Sequence, residues 1–337
     1  MTSFSSIDSR YHAIYSEMRE RNLNKLTSSV NLPPNFSVDS KMAHHTYRGG
    51  ADSHRCLSMY SFPKVSLHDR GKELFNELND LFSVDEDVVL FSPTPPRDDK
   101  DAKNIWGKLH WTMMQIQGFN VYEGSPDGSE SRNEKNANFG KSIQEVFAGD
   151  DSGGTIEIRL IGVIAVSTGL VMIGLPSSDV NSLRDGIRES ISSGDLGYNL
   201  KEPFVNDIVH STILRLTGEG DGTLGEKVLD IAKRFGDADL GTMTVEKVNV
   251  GEASWRMMDE ELERTPAFWS WRIGSGGEVG ETQTGTKRPE TKTNFDSQAQ
   301  TTPRLDTSSF SEESDSETST PQPAQPREVR LQDVGWE

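Results

Sequence analysis

The chain has 337 residues, only 33% of them hydrophobic, and a formal charge of −18. That length allows two domains, but the polar excess is concentrated toward the ends, so one globular domain with long flanks is the better count. The acidity disfavours extended binding to long DNA or RNA, whose backbone it would repel, and leaves room for a short or end-bound phosphoester at one locally built site.

The single cysteine, Cys56, leaves no internal disulfide and fits a reducing compartment. Glu17, Arg19, Glu20 and Arg21 interrupt any apolar signal segment near Met1. The cytoplasm is the expected compartment, and nothing in the composition argues against the nucleus.

Residues 1–54 read as an N-terminal extension, partly helical. Ile7, Tyr11, Ile14, Tyr15, Met18 and Leu26 fall near helical spacing, which predicts a helix over Ile7–Lys25 that ends before Pro33-Pro34. An extended arm follows to Gly49-Gly50. Residues 55–273 carry the globular domain. Cys56–Phe62 reads as a strand and Leu67–Phe82 as a helix capped by Ser66. Val88–Phe91 is a short strand, and Trp106–Phe119 a longer one. Glu123–Gly140 has no apolar period and is a loop, and Ser142–Phe147 a short helix.

Ile156–Leu175 is the longest apolar run. Glu157 and Arg159 inside it, the turn residues Ser167-Thr168-Gly169 and the many β-branched side chains predict a buried hairpin rather than a membrane span. Asp179–Ser192 reads as a helix capped by Ser177 or Ser178, Phe204–Leu216 as a strand, and Leu224–Phe235 as a helix. Thr242–Val250 and Phe268–Ile273 read as strands closing the sheet. Residues 274–337 carry 6 basic and 12 acidic residues, a net of −6 that leaves −12 on the rest. This Thr, Ser, Gly, Gln and Pro-rich tail lacks the apolar surface to offset chain entropy and is expected to be disordered. Its last apolar residues, Val329, Leu331, Val334 and Trp336, are either a docking motif for a protein partner or a frayed end.

Two segments stand out. Leu109-His110-Trp111-Thr112-Met113-Met114 places a His and a Thr two apart between apolar residues, and Val209-His210-Ser211-Thr212-Ile213-Leu214 repeats the arrangement 100 positions later. On a strand, residues two apart share a face, so an imidazole and a hydroxyl project together from each segment. Two such strands facing one another would supply two proton-transfer groups and two neutral donors for a phosphate.

This doubled His-x-Thr pattern resembles the 2H phosphoesterase superfamily, whose members include RNA 2′,3′-cyclic and 2′,5′-phosphodiesterases. The resemblance implies an α+β fold, bilobal with pseudo-twofold symmetry, in which antiparallel sheets flank a central cleft. Carried onto this sequence, it makes His110 and His210 the general acid and base, and Thr112 and Thr212 the phosphate-binding hydroxyls. It implies neither a metal nor a cofactor. The partner it implies is a nucleotide or an RNA terminal phosphoester. Ser211 departs from the family, which usually has an apolar residue there.

The chemistry of the residue types agrees. An imidazole titrates near pH ~6.5, so close to neutrality one of a pair can be neutral and the other protonated. Such a pair can take a proton from water on one side of a phosphorus atom and give one to the leaving oxygen on the other. The activity expected is metal-independent hydrolysis of a cyclic or 2′,5′-linked phosphoester. The alternative is a non-catalytic module that binds a phosphorylated ligand or RNA end while the tail recruits partners.

Other signals carry less. Trp111 and Met113 are expected in the core. Arg215 has the opposite strand parity from His210 and is expected to pair with acidic surface groups, the alternative being a long guanidinium that reaches round a strand end to a phosphate. Tyr198, in the loop before the second motif, is a candidate to stack on a substrate base. The spacing of His44, His45, His54 and Cys56 fits no zinc set.

Overall fold

The computed structural model describes residues 4–27, 34–39, 56–83, 85–94, 105–117, 143, 146, 154–193, 207–218, 223–253 and 269–273. Strand and helix alternate as an α+β chain. The order is α1 (Phe4–Leu26), β1 (Cys56–Ser61), β2 (Lys64–Leu67), α2 (Asp69–Phe82), β3 (Val88–Ser92), β4 (Ile105–Lys108) and β5 (Trp111–Gln117). It continues through β6 (Ile156–Val166), β7 (Gly169–Pro176), α3 (Val180–Ser193), β8 (His210–Leu216), α4 (Leu224–Arg234), β9 (Gly241–Val245), β10 (Lys247–Ala253) and β11 (Trp269–Arg272). The tail beyond residue 273 and the Glu123–Gly140 loop lie outside the described residues, as do His44, His45 and His54.

The strands form two sheets. One has the order β11-β10-β1-β5, the other β2-β9-β6-β7-β8-β3-β4. All pairings are antiparallel except β3 with β4, which run parallel. The apolar run from Ile156 folds into the β6–β7 hairpin, turning at Ser167-Thr168. Every residue of β7 is buried, so the run is long and apolar because it sits in mid-sheet. Among the described residues no helix is long and apolar enough to cross a membrane.

Three segments pass directly from one sheet to the other, and two of them contradict the single strands expected from the sequence. Phe62-Pro63 links β1 to β2; proline, with no N–H, interrupts the ladder there. Leu109-His110 separates β4 from β5, so Trp106–Phe119 is two strands in two sheets. Glu246 separates β9 from β10 in the same way. The sequence carries a trace of that break: the buried residues are Met243 and Val245 before Glu246, but Val248 and Val250 after it. The parity of the buried face changes because the strand changes sheets.

The helices follow their apolar stripes. In α4, Leu224, Val228 and Ile231 are buried, with Phe235 at its end, and this face lies on β6 and β7. Two caps differ from expectation. Ser66 belongs to β2, and His68 occupies the N-cap of α2. In α3 neither Ser177 nor Ser178 is the cap: the Asp179 carboxylate accepts from the Ser182 N–H at 3.1 Å, while Ser177 Oγ accepts from the Glu157 N–H. A carboxylate accepts this bond and also meets the positive end of the helix dipole.

The N-terminal extension packs on the domain. Tyr11, Ile14, Tyr15, Met18 and Leu26 of α1 are buried, and the helix contacts β6 and β7. The Tyr15 hydroxyl is 2.7 Å from the Gly174 carbonyl and 3.0 Å from that of Val209, and it accepts from the Val209 N–H at 3.0 Å. Tyr15 thus occupies the point where the β7–β8 ladder ends, one residue before His210.

Candidate active site

Both His-x-Thr segments lie where the two sheets meet. β5 belongs to the four-stranded sheet, β8 to the seven-stranded one, and the two strands contact each other. His110 stands in the two-residue crossing between β4 and β5. Leu109 is held to β3 by its N–H, which donates to the Ser92 carbonyl at 2.9 Å. His210 is the first residue of β8.

The repeat extends into the backbone. In β5, Thr112 is opposite Tyr60 and Met114 opposite Met59, which leaves Met113 as an unopposed extra residue. In β8, Thr212 is opposite Val171 and Leu214 opposite Leu170, leaving Ile213 unopposed. Each motif therefore has a β-bulge one residue after its threonine. A bulge shifts the side-chain alternation by one, so the fifth residue after each histidine returns to the threonine face. Those residues are Gln115, half-buried, and Arg215.

This corrects the reading of Arg215. Strict alternation puts it on the face away from His210, and surface pairing followed from that. The bulge at Ile213 reverses the parity, and Arg215 is buried at 7% exposure. Its Nη2 donates to Thr212 Oγ1 at 3.2 Å and its Nη1 to Thr168 Oγ1. Its Nε lies 3.9 Å from an Asp39 carboxylate oxygen. A sequence signal for the bulge exists. Two consecutive buried apolar residues, Met113-Met114 and Ile213-Leu214, follow each threonine where alternation allows one.

Arg184 of α3 is fully buried and ties the two motif strands together. It donates to the bulged Met113 carbonyl at 2.7 Å, to the Ile208 carbonyl at 3.0 Å and to Asn181 Oδ1 at 2.9 Å. Asn181 in turn donates to the Asp207 carbonyl at 3.0 Å. The sequence gives no local sign of this, because three of these acceptors are main-chain groups.

His110 is held on several sides. Its Nδ1 lies 3.0 Å from the Lys108 carbonyl. A carbonyl only accepts, so Nδ1 carries the proton and Nε2 is the nitrogen with the free lone pair in the neutral ring. Phe91 and Phe62 stand edge-on to the imidazole at centroid distances of 5.8 and 6.4 Å.

Burial lowers the His110 pKa from its ordinary value; the positive charge of Arg215 adds to this, and the bond to Lys108 opposes it. His210 is pushed down to about 3 by burial first, then by Arg215, Arg184 and His110. Both shifts disfavour the imidazolium in the unliganded protein, whereas the neutral-plus-protonated pair was expected from unperturbed values.

The remaining expected site residues are placed as follows. Thr112 and Thr212 are half-buried on the two motif strands. Thr212 Oγ1 accepts from Arg215, which leaves the hydroxyl proton to be donated elsewhere. Tyr198 lies outside the described residues. Trp111 and Met113 are fully buried, as expected for core. Ser211 is buried too, with its hydroxyl 3.7 Å from Met243 Sδ, so the departure from the family pattern falls in the packing.

No family model and no curated protein sequence matches the chain. Among solved structures it is similar to E. coli LigT complexed with 3′-AMP, at 13% identity and TM-score 0.32, over 65% of this chain and 98% of that one. The NADP+ and ATP complexes of E. coli LigT are similar at 13% identity and TM-score 0.31, over 64% of this chain and 98% of theirs.

Proposed function

We propose that the protein is a metal-independent phosphodiesterase of 2H type, hydrolysing a cyclic 2′,3′-type or 2′,5′-linked phosphoester of a nucleotide or RNA end. The observation that carries this reading is the doubled arrangement itself. Two His-x-Thr segments with the same bulge meet across two sheets, with a guanidinium on one threonine.

In the reaction, one neutral imidazole takes a proton from water as its oxygen attacks phosphorus. The P–O bond to the leaving oxygen breaks as the other imidazole, protonated, gives that oxygen its proton. Water and the diester become a monoester and an alcohol, and the two histidines exchange protonation states. The Thr112 and Thr212 hydroxyls donate to the non-bridging oxygens, where charge develops. Arg215 supplies a fixed positive charge behind Thr212. A guanidinium among imidazoles and hydroxyls is a donor set that attracts an anion and repels a cation, which supports a mechanism without a metal. The acid form requires a proton that the unliganded site holds poorly. An arriving phosphoester anion favours the imidazolium and raises the pKa of the histidine nearest it.

The experiment is a hydrolysis panel of 2′,3′-cyclic nucleotides and 2′,5′-oligoadenylate with the natural chain, His110→Ala and His210→Ala. Each substitution is expected to lower turnover by roughly 10²- to 10⁴-fold with the fold intact. Activity unchanged in both variants would overturn the assignment.

One observation favours the second reading, a non-catalytic module that binds a phosphorylated ligand: the His210 pKa of about 3 leaves that ring unprotonated at neutral pH. That reading predicts phosphate-dependent binding with no turnover of any diester. The cytoplasm as compartment, and the tail as the segment that recruits a protein partner, belong to this same proposal.

A further inference from the structure

The N-terminal arm reaches the site. After α1, residues 34–39 run beside the β6–β7 turn and the end of β8. Phe36 lies against Gly225, where an added Cβ would stand 3.0 Å from the ring. The Ser37 N–H donates to the Ser167 carbonyl at 2.7 Å, and the Asp39 N–H to the Leu216 carbonyl at 2.8 Å. These two bonds fall next to Thr168 and Arg215, which are themselves hydrogen-bonded. The arm is thus anchored immediately on either side of the guanidinium, and it delivers one acidic side chain.

That side chain is Asp39, 10% exposed, 3.9 Å from the Nε of an Arg215 side chain that is 8% exposed. All three nitrogens of Arg215 then face oxygen: Thr168 at Nη1, Thr212 at Nη2 and Asp39 at Nε. Two opposite charges this close in a buried setting interact strongly, because little water intervenes to screen them. An anion drawn toward the Thr212 hydroxyl therefore meets a guanidinium whose charge is already partly balanced.

We infer that Asp39 is the site's own counter-anion: the N-terminal arm uses its carboxylate to hold Arg215 on Thr212 and to limit how tightly the site takes up a phosphoryl anion. The inference rests on the phosphoryl-anion reading of the site. It makes Asp39 a positioning residue and makes residues 34–39 a working part of the site.

The test is titration of the full chain with inorganic phosphate by calorimetry, at fixed pH and ionic strength, with thermal melts in parallel. Asp39→Asn removes the charge and keeps the shape. It is expected to bind phosphate about tenfold more tightly, the scale of losing one nearby like charge at a partly buried site. Asp39→Glu, which restores the charge, should bind like the natural chain. In an Arg215→Gln background, Asp39→Asn should gain nothing.

If Asp39→Asn is less stable, phosphate should raise its melting temperature more than that of the natural chain, since the added anion replaces the lost one. Three outcomes overturn the inference alone: natural-chain binding with no gain in Asp39→Asn, a gain of the same size without Arg215, or no extra thermal rescue. Absence of binding by both proteins up to tens of millimolar overturns the phosphoryl-anion reading itself. Binding by Asp39→Asn alone supports both.

Discussion

The Arg184 guanidinium donates to the main-chain carbonyl of Met113 at 2.7 Å, across the junction between the two sheets. Since it also holds the Ile208 carbonyl, one side chain fixes the bulge of the first motif relative to the entry of the second. Truncation to Arg184→Met leaves buried acceptors without a donor, each costing about 1–3 kcal/mol. We expect a loss of at least about 3 kcal/mol in a urea melt. Arg184→Lys should recover little of it, because a single ammonium does not match three diverging acceptors.

Tyr15 predicts the role of the N-terminal helix. Its hydroxyl accepts from the Val209 N–H, with the Gly174 and Val209 carbonyls close by. Tyr15→Phe keeps the ring and strands that N–H, so a destabilisation of about 1–3 kcal/mol is expected. Hydrogen exchange should show faster opening at the start of β8 than at its far end.

Stability should depend on pH through His210. Its pKa is about 3 in the folded chain against about 6.5 unfolded. Between those values the unfolded chain binds the extra proton, so stability is fully present above pH ~6.5 and is lost as pH falls toward 3. His210→Asn cannot take up that proton. Its melting temperature should fall less steeply from pH 6.5 to 5 than that of the natural chain, and parallel slopes would show that His210 is not the group responsible.

Activity should follow the same shifts. With both imidazoles depressed, the form with one proton on the pair is favoured on the acid side. The bell in kcat/KM should therefore peak below pH 6.5 and decline above it. Arg215→Gln removes a positive charge that lowers both histidines, so its maximum, though reduced in height, should move toward neutrality.

Thr212→Val tests the hydroxyl without changing the shape. Loss of one donor to developing charge typically costs roughly 10²-fold in kcat. An equal fall in kcat and kcat/KM is expected, whereas a rise in KM alone would make Thr212 a ground-state binding group.

Much of the architecture was legible from local pattern. The β6–β7 hairpin, the stripe of α4 and the two His-x-Thr segments all follow from short-range spacing, because burial imposes a period of two on strands and 3.6 on helices. The breaks at Leu109-His110 and Glu246 were harder to read. A chain that leaves one sheet and enters another keeps its strand character, and only a change of parity in the buried residues marks the passage. Arg215 escapes strict alternation for a related reason, since the bulge at Ile213 reverses the parity of the residues after it.

The sequence by itself determined which reactive groups the protein holds in a repeated pattern: two imidazoles, two hydroxyls and apolar strands to hold them. Only the tertiary structure decided the company they keep. Arg184, Arg215, Asp39 and Tyr15 act on main-chain groups or side chains up to 194 positions away, and such partners leave no periodic trace in the sequence. The same packing buries His210 and partly buries His110, and that burial, rather than the motif, lowers the pKa of both.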